Sequence, residues 1–430
     1  MASEKTLSCD VAVVGAGAAG IAAAVAAADA GADVVLIERY GFVGGLATTA
    51  MVGTICGLFY RSQRQACYAV QGFARDFAEA VHAGSQTRIA TFGEGLHFLP
   101  YCPTVFQQEA LRRLKAARVR LYLHSVLTGA TAQQHIIQRL NFQSAGAGFA
   151  ITPKAVVDCT GNAQVSLLLG LERIEQSAYQ AGALVFRVSG LPALTPETLS
   201  LNLIRWLKQA VNEGALPPQC ERLSLVPGTF NNGTALFKLG MSWLFQDSLA
   251  CLTDYEIEAR GLAVAIIGYL SRHQALLAPM VITTMATEIG LRSGARAYGL
   301  AVLTEQQVLS CAKPDDGVAI GVWPIEYWGQ ARKPELRYFA FEDSYWISAN
   351  TLVSRAVHNL FFAGRGLSAT EWAMASARVI GTCLNTGYAA GGLASAYALS
   401  SNWQTAIKRI QKQHGIKTTS TVHGSDILFD

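Results

Sequence analysis

Residues 10–45 read DVAVVGAGAAGIAAAVAAADAGADVVLIERYGFVGG, and this stretch constrains the fold more than any other. A short apolar run, Val11 to Val14, leads into Gly15-x-Gly17-x-x-Gly20. An Ala-rich segment of helical character follows, then a second apolar run, Val34 to Ile37, ending in Glu38. A diphosphate can be held without a crowd of cations by the free N–H groups and positive dipole end of a helix N-terminus. Side chains must be absent where the backbone comes close. Gly15 permits the tight strand-to-helix turn, Gly17 lets a pyrophosphate approach with Ala18 and Ala19 beside it, and Gly20 lets the helix pack on the strand. Glu38 stands 18 residues beyond Gly20, where a carboxylate can accept hydrogen bonds from ribose hydroxyls. A basic residue at that position would favour a 2′-phosphate; Arg39 comes one place later and stands with Glu38 among the cofactor-binding candidates. The spacing predicts strand, phosphate loop, helix and strand, and a bound dinucleotide.

The segment ERYGFVGG resembles the E-x5-GG extension of flavoproteins with the glutathione-reductase type of FAD domain. In that group the glycine pair, here Gly44 and Gly45 with Leu46 and Ala47 following, lets the chain run beside the cofactor's pyrophosphate and ribityl. Three later segments carry the same resemblance. PKAVVDCTGNAQ is similar to the third-strand motif, with Thr160 and Gly161 in its turn. ATEIGLRSGARAYG resembles the G-x-R-x-x-x-R segment of the subgroup called FAD-dependent oxidoreductases. NLFFAGRGLSATEWAMASARVIGTCLNTGYAAGG resembles that subgroup's C-terminal FAD motif, with Gly364 and Arg365 after its strand. The resemblance implies FAD as cofactor, backbone near Val126 against the adenine, and a helix start at Gly381-Thr382 aimed at the flavin ring. It names no substrate.

At 430 residues one to three domains with a sizeable core are expected. A net charge of +4 and the lack of any basic block argue against nucleic acid. The N-terminal MASEKTLSCD has no apolar signal core, so a cytoplasmic location is expected. The most apolar stretch, around Leu262 to Met280, is interrupted by Arg272 and His273 and reads as a buried helix; no transmembrane segment is expected. The nine cysteines include no C-x-x-C, so no metal site is expected. Redox disulfides of flavoproteins follow the glycine pair as C-x4-C. Here that stretch holds only Cys56, which stays open as a flavin-side thiol or a buried structural cysteine.

The expected architecture is α/β. A Rossmann-like FAD-binding domain with a central parallel sheet and a small antiparallel meander, residues 1–170 and 351–430, encloses an inserted α+β substrate or cap domain, residues 171–350. Residues 70–82 and 104–117 have helical spacing, 119–124 reads as a parallel strand, and 136–152 as part of the meander. The stretch 183–190 reads as a strand, 194–222 as a helical excursion, and 254–278 as helical. A last long helix is expected over 380–399, followed by a tail, 416–430, that is either mobile or packed on a partner.

Catalytic candidates are fewer. Arg292 and Arg296, four apart, would hold a carboxylate substrate or steady the flavin, or else form structural salt bridges. Arg378 carries the same two readings. Glu371 is a candidate proton acceptor, with a solvated or salt-bridged Glu as the alternative. Tyr327 and Trp328 read as an aromatic wall or as core, and His97 and His124 as a loop and a core histidine. No second GxGxxG occurs, so a separate nicotinamide domain is not expected, and electrons would pass between substrate, flavin and oxygen, a quinone or a partner protein. Three functions remain open: an oxidase or dehydrogenase taking a hydride equivalent from a small organic molecule, an electron-transfer subunit for a partner with thiol chemistry at Cys56, and a non-catalytic scaffold. A homo-oligomer is compatible with each.

Overall fold

The computed structural model describes residues 5–176, 180–241, 249–329, 331 and 333–417; most of the tail read above, 418–430, lies outside the described residues. Strand β1 (Lys5–Val14), helix α1 (Ala18–Asp29) and strand β2 (Val34–Ile37) follow the expected order. The two strands pair in parallel, Val11 opposite Val34 and Val14 opposite Ile37. Helix α1 is almost entirely Ala, Val, Ile and Gly, and Ala19 to Ala27 are buried, because both its sides are covered. Helices α2 (Phe73–Ser85) and α3 (Pro103–Ala116) precede β3 (Arg120–Tyr122), which returns in parallel beside β2.

The meander is larger than the sequence suggests. Strands β4 (Val126–Gln133), β5 (Ile136–Ser144) and β6 (Ala147–Asp158) are joined by two-residue loops, Gln134-His135 and Ala145-Gly146, all four residues with positive φ. That geometry matches the right-handed twist of the flanking strands. The third-strand motif, PKAVVD, is the far end of β6, whose twelve residues serve two roles. Its first half pairs antiparallel with β5; along its length it pairs parallel with β1. The seven-stranded sheet therefore joins parallel core and meander without a break.

A second sheet, wholly antiparallel, has the order β8 (Leu223–Leu225), β9 (Ala235–Gly240), β7 (Ala183–Ser189) and β10 (Val281–Met285). Helices α4 (Pro196–Asn212) and α5 (Leu249–His273) share its core, where Leu203, Trp206, Phe186, Phe237, Ile266 and Leu270 meet. Thr195 caps α4, its hydroxyl accepting the Thr198 N–H at 3.2 Å.

Beyond residue 300 the chain packs into the first core again. Strands β11 (Gly317–Gly321) and β12 (Tyr345–Ser348) pair antiparallel, and Val318, Ile320, Tyr345 and Ile347 join the cluster built by α1. The change of core thus falls well before the expected boundary at 350. Strand β13 (Leu360–Phe362) then adds to β6 in parallel. Helices α6 (Glu371–Ala377) and α7 (Ile380–Ala398) follow, and the latter matches the expected long helix. It is not the last. An amphipathic α8 (Trp403–His414), capped by Asn402 and ended by Gly415 at φ 74°, buries Ile407 and Ile410. No helix among the described residues is long and apolar enough to cross a membrane.

Candidate functional site

The α1 start and the loop after β2 interlock. The Gly44 N–H donates to the Ala16 carbonyl at 2.8 Å, and Gly45 lies directly against Gly17. A Cβ on Gly45 would sit 2.8 Å from the Gly17 Cα, and one on Gly20 only 1.8 Å from the Gly15 carbonyl oxygen. Gly17 differs: a Cβ there would meet nothing nearer than the Gly45 Cα, at 3.8 Å, and would project into open space. No side chain caps α1, so its first N–H groups are offered to that space. The space is a cavity of about 560 Å³ that runs past both glycine loops.

Each group of expected cofactor residues is at this cavity, with three exceptions. Gly15, Gly17, Ala18 and Ala19 line it from the first turn, and Gly44, Gly45, Leu46 and Ala47 from the second. Glu38, Arg39 and Val126 line it beyond the end of β2, Val126 being 49% exposed. Thr160 and Gly161 contribute from the turn after β6, Gly364 and Arg365 from the turn after β13. Gly20 does not line it; it is the contact between α1 and the Gly15 turn. Gly381 and Thr382 do not line it either. The Gly381 N–H donates to the Cys56 carbonyl at 2.9 Å and both residues are buried, so Val379, Ile380 and Cys383 present the helix start to the cavity instead.

Glu38 braces the loops as well as facing the cavity. Its carboxylate accepts the Ala16 N–H at 2.7 Å and the Tyr40 N–H at 3.0 Å, while burial pushes its carboxyl above the usual range. Asp158, which the sequence reading passed over, does the same for the third turn. Its carboxylate accepts the Thr160 N–H and hydroxyl at 3.0 and 2.7 Å and the Val165 N–H at 2.9 Å. Gly161, at φ 81°, leaves room for the Arg365 guanidinium, which donates to the Leu291 carbonyl at 2.7 Å.

Another group of lining residues comes from far apart in the chain: Cys56, Lys238, Arg292, Glu326, Trp328 and Arg378. Lys238 is opposite Val185 in the β7–β9 pairing, and both face the cavity. The Trp328 ring has the Lys238 ammonium 4.9 Å and the Arg292 guanidinium 4.5 Å from its centroid. Glu326 accepts both indole N–H groups, from Trp323 at 2.7 Å and Trp328 at 2.8 Å. Arg292 donates to the Ala181 carbonyl, and Arg378 to the Glu326 carbonyl at 2.9 Å. Burial, and after it the Arg292 charge, brings the Lys238 ammonium down to about 8. Burial pushes the Cys56 thiol up to about 12, above the usual thiol range.

Two catalytic candidates lie elsewhere. Arg296 is 2% exposed and pinned by the Ala369 carbonyl at 2.8 Å, a structural tie rather than a ligand arm. Glu371 is outside the cavity lining; it accepts the Tyr327 hydroxyl at 2.8 Å, beside the Tyr327–Trp372 stack. The aromatic pair therefore divides, with Trp328 at the cavity and Tyr327 outside it. The histidines exchange roles: His97 is buried in a strand and bonds the Ser62 carbonyl at 3.0 Å, and His124 is exposed. A single Lys in ALFKLG reads as the solvent side of a strand; only the place of Lys238 opposite Val185 in the second sheet reveals it as a cavity residue.

A family described as FAD dependent oxidoreductase matches residues 10–413. Comparison with curated proteins found no match. Among solved structures the chain is similar to the OxyS anhydrotetracycline hydroxylase from Streptomyces rimosus, at 11% identity and a TM-score of 0.52 over 94% of this chain and 65% of that one. It is also similar to BexE, studied for oxidation during BE-7585A biosynthesis, at 12% identity and a TM-score of 0.51 over 94% of this chain and 65% of that one. The chain spans about two thirds of the length of each, and the likeness is one of fold.

Proposed function

The chain belongs to the FAD dependent oxidoreductase family, and from that premise we propose that it takes a hydride equivalent from a small organic molecule. Its cofactor is FAD, and the open space over Gly17 fits that group, since a Cβ would fill what the phosphates need. The amides of the first α1 turn would hold the pyrophosphate, Glu38 the ribose hydroxyls, and Val379 and Ile380 would border the ring. When bound, FAD supplies a two-electron acceptor. The chain's own part is to bind and orient. Trp328 offers a flat apolar face, Lys238, Arg292 and Arg378 offer positive charge, and Val52, Val185 and Val226 keep water from the same space. Glu326, tied by two indole N–H groups, fixes the orientation of both tryptophans.

One observation carries the reading: the glycine cradle and this charged, tryptophan-walled pocket open into one cavity. The test is anaerobic absorbance of the purified FAD-bound protein against amines, hydroxy acids, alcohols and saturated acids. Bleaching of the yellow colour by one of these alone is the expected result. Bleaching only by added NADH or NADPH, with oxygen then consumed in hydroxylating a product, would overturn it.

A further inference from the structure

The cations of the pocket outnumber its anions. Lys238, Arg292 and Arg378 line it with Glu326 as their neighbouring carboxylate, and Glu326 already accepts two indole N–H groups. Their donors are incompletely used. The Lys238 ammonium has no hydrogen bond or ion pair among the described residues and stands 4.9 Å from the centroid of the Trp328 ring. The Arg378 Nε is buried without a partner, while its Nη2 reaches the Glu326 carbonyl at 2.9 Å and Gln180 at 3.4 Å. Buried charges without partners are costly, so an excess of this kind is held for a ligand of opposite sign. The surrounding wall is apolar: Val52, Phe92, Val185, Val226 and Pro227 line the same cavity.

We propose that the substrate is an organic carboxylate with an apolar body, its carboxylate held by Lys238, Arg292 and Arg378 and its body lying against Trp328 and the valines. The inference rests on the function proposed above and narrows it to a substrate class. An ammonium substrate would face repulsion in the same place. A planar guanidinium suits a carboxylate because it can donate two parallel N–H bonds, and the lysine adds a point charge.

The test uses the FAD-bound protein and two matched pairs of probes, benzoate with benzamide and hexanoate with hexanamide, measured by calorimetry and by perturbation of flavin absorbance. In at least one pair the acid is expected to bind at least about tenfold more tightly than its neutral amide. Lys238→Met, which keeps the length and removes the charge, should weaken that acid roughly 10- to 100-fold and leave FAD content unchanged. If neither acid outbinds its amide in the unaltered protein, the proposal is overturned without recourse to a variant. It is overturned too if inorganic phosphate binds as tightly as the acids, or if Lys238→Met shifts the flavin potential but not acid affinity. FAD content and anaerobic bleaching report on the function, the acid-to-amide ratio on the substrate class, so the two fail separately.

Discussion

Gly17 and Gly20 stand three residues apart and are needed for different reasons. A side chain at Gly17 would meet only the Gly45 Cα, at 3.8 Å, so Gly17→Val is expected to fold and to purify colourless. Circular dichroism together with the flavin-to-protein absorbance ratio checks this; a folded, yellow Gly17→Val would displace the cofactor from the cradle. A Cβ at Gly20 would lie 1.8 Å from the Gly15 carbonyl oxygen, so Gly20→Ala should lower Tm as well as FAD content. Lys238 gives a pH signature. Burial first, and then the Arg292 charge, brings its ammonium down to about 8 against the favourable charge of Glu326, while burial pushes the neighbouring Cys56 thiol up to about 12. Arg292 is brought down only to about 10, by burial first and then by Arg378, so it remains charged through this window. Affinity for the bound acid should therefore hold below pH 8 and fall as pH rises through it, and calorimetry should find no such fall in Lys238→Met. The glycine roles were legible in the sequence because each is set by the spacing of a few neighbours. Lys238 was not, since one charged residue in a strand says nothing of what faces it.

At the scale of elements, α1 and α7 touch backbone to backbone. A Cβ on Gly387 would come within 2.1 Å of the Ala19 carbonyl oxygen, and one on Gly391 within 2.1 Å of the Ala23 carbonyl oxygen. The two glycines are four residues apart and so share a face of α7. Since the obstacle is backbone, Gly391→Ala is expected to cost about 1–3 kcal/mol, the usual range for overpacking. Denaturant unfolding would detect it, and a loss near zero would mean that the helices separate freely. That α7 exists was readable from its composition, and its partner was not. The meander shows the same division. Ala145-Gly146 ends in glycine, the residue such a turn favours, but Gln134-His135, a two-residue hairpin loop built from non-glycine residues at φ 48° and 61°, has no comparable signal. The amphipathic α8 has a regular pattern, but it lies beyond residue 392, where the segment that carries the resemblance ends.

Across the whole molecule, residues of three hydrophobic cores line the cavity, and the chain enters the core of the second sheet only between about residues 184 and 289, with Met51 joining it. The C-terminal α8 closes the first core and carries His414, fully buried, whose Nδ1–H donates to the Val318 carbonyl at 2.7 Å. Burial brings its imidazole from 6.5 down to about 4. The unfolded chain thus binds the extra proton first, so this contribution to stability is complete above pH 6.5 and is lost as pH falls toward 4. The full loss amounts to roughly 3 kcal/mol. Unfolding of His414→Gln and the unaltered protein at neutral and acid pH should converge as pH falls; parallel curves would show that His414 does not titrate in this way.

By itself the sequence determined the nucleotide grip and the parallel core, because each depends on glycine spacing and apolar periodicity within a few dozen residues, while the turns at Thr160-Gly161 and Gly364-Arg365 were legible through the family resemblance. Only the tertiary structure decided which polar groups share the other pocket. It separated Arg292 from Arg296, set Glu371 outside, and brought Lys238, Glu326, Trp328 and Arg378 together. Those residues belong to a strand of the second sheet, a short strand and its exit, and a helix end, and their meeting is fixed by how these elements pack, a long-range property that no local pattern encodes.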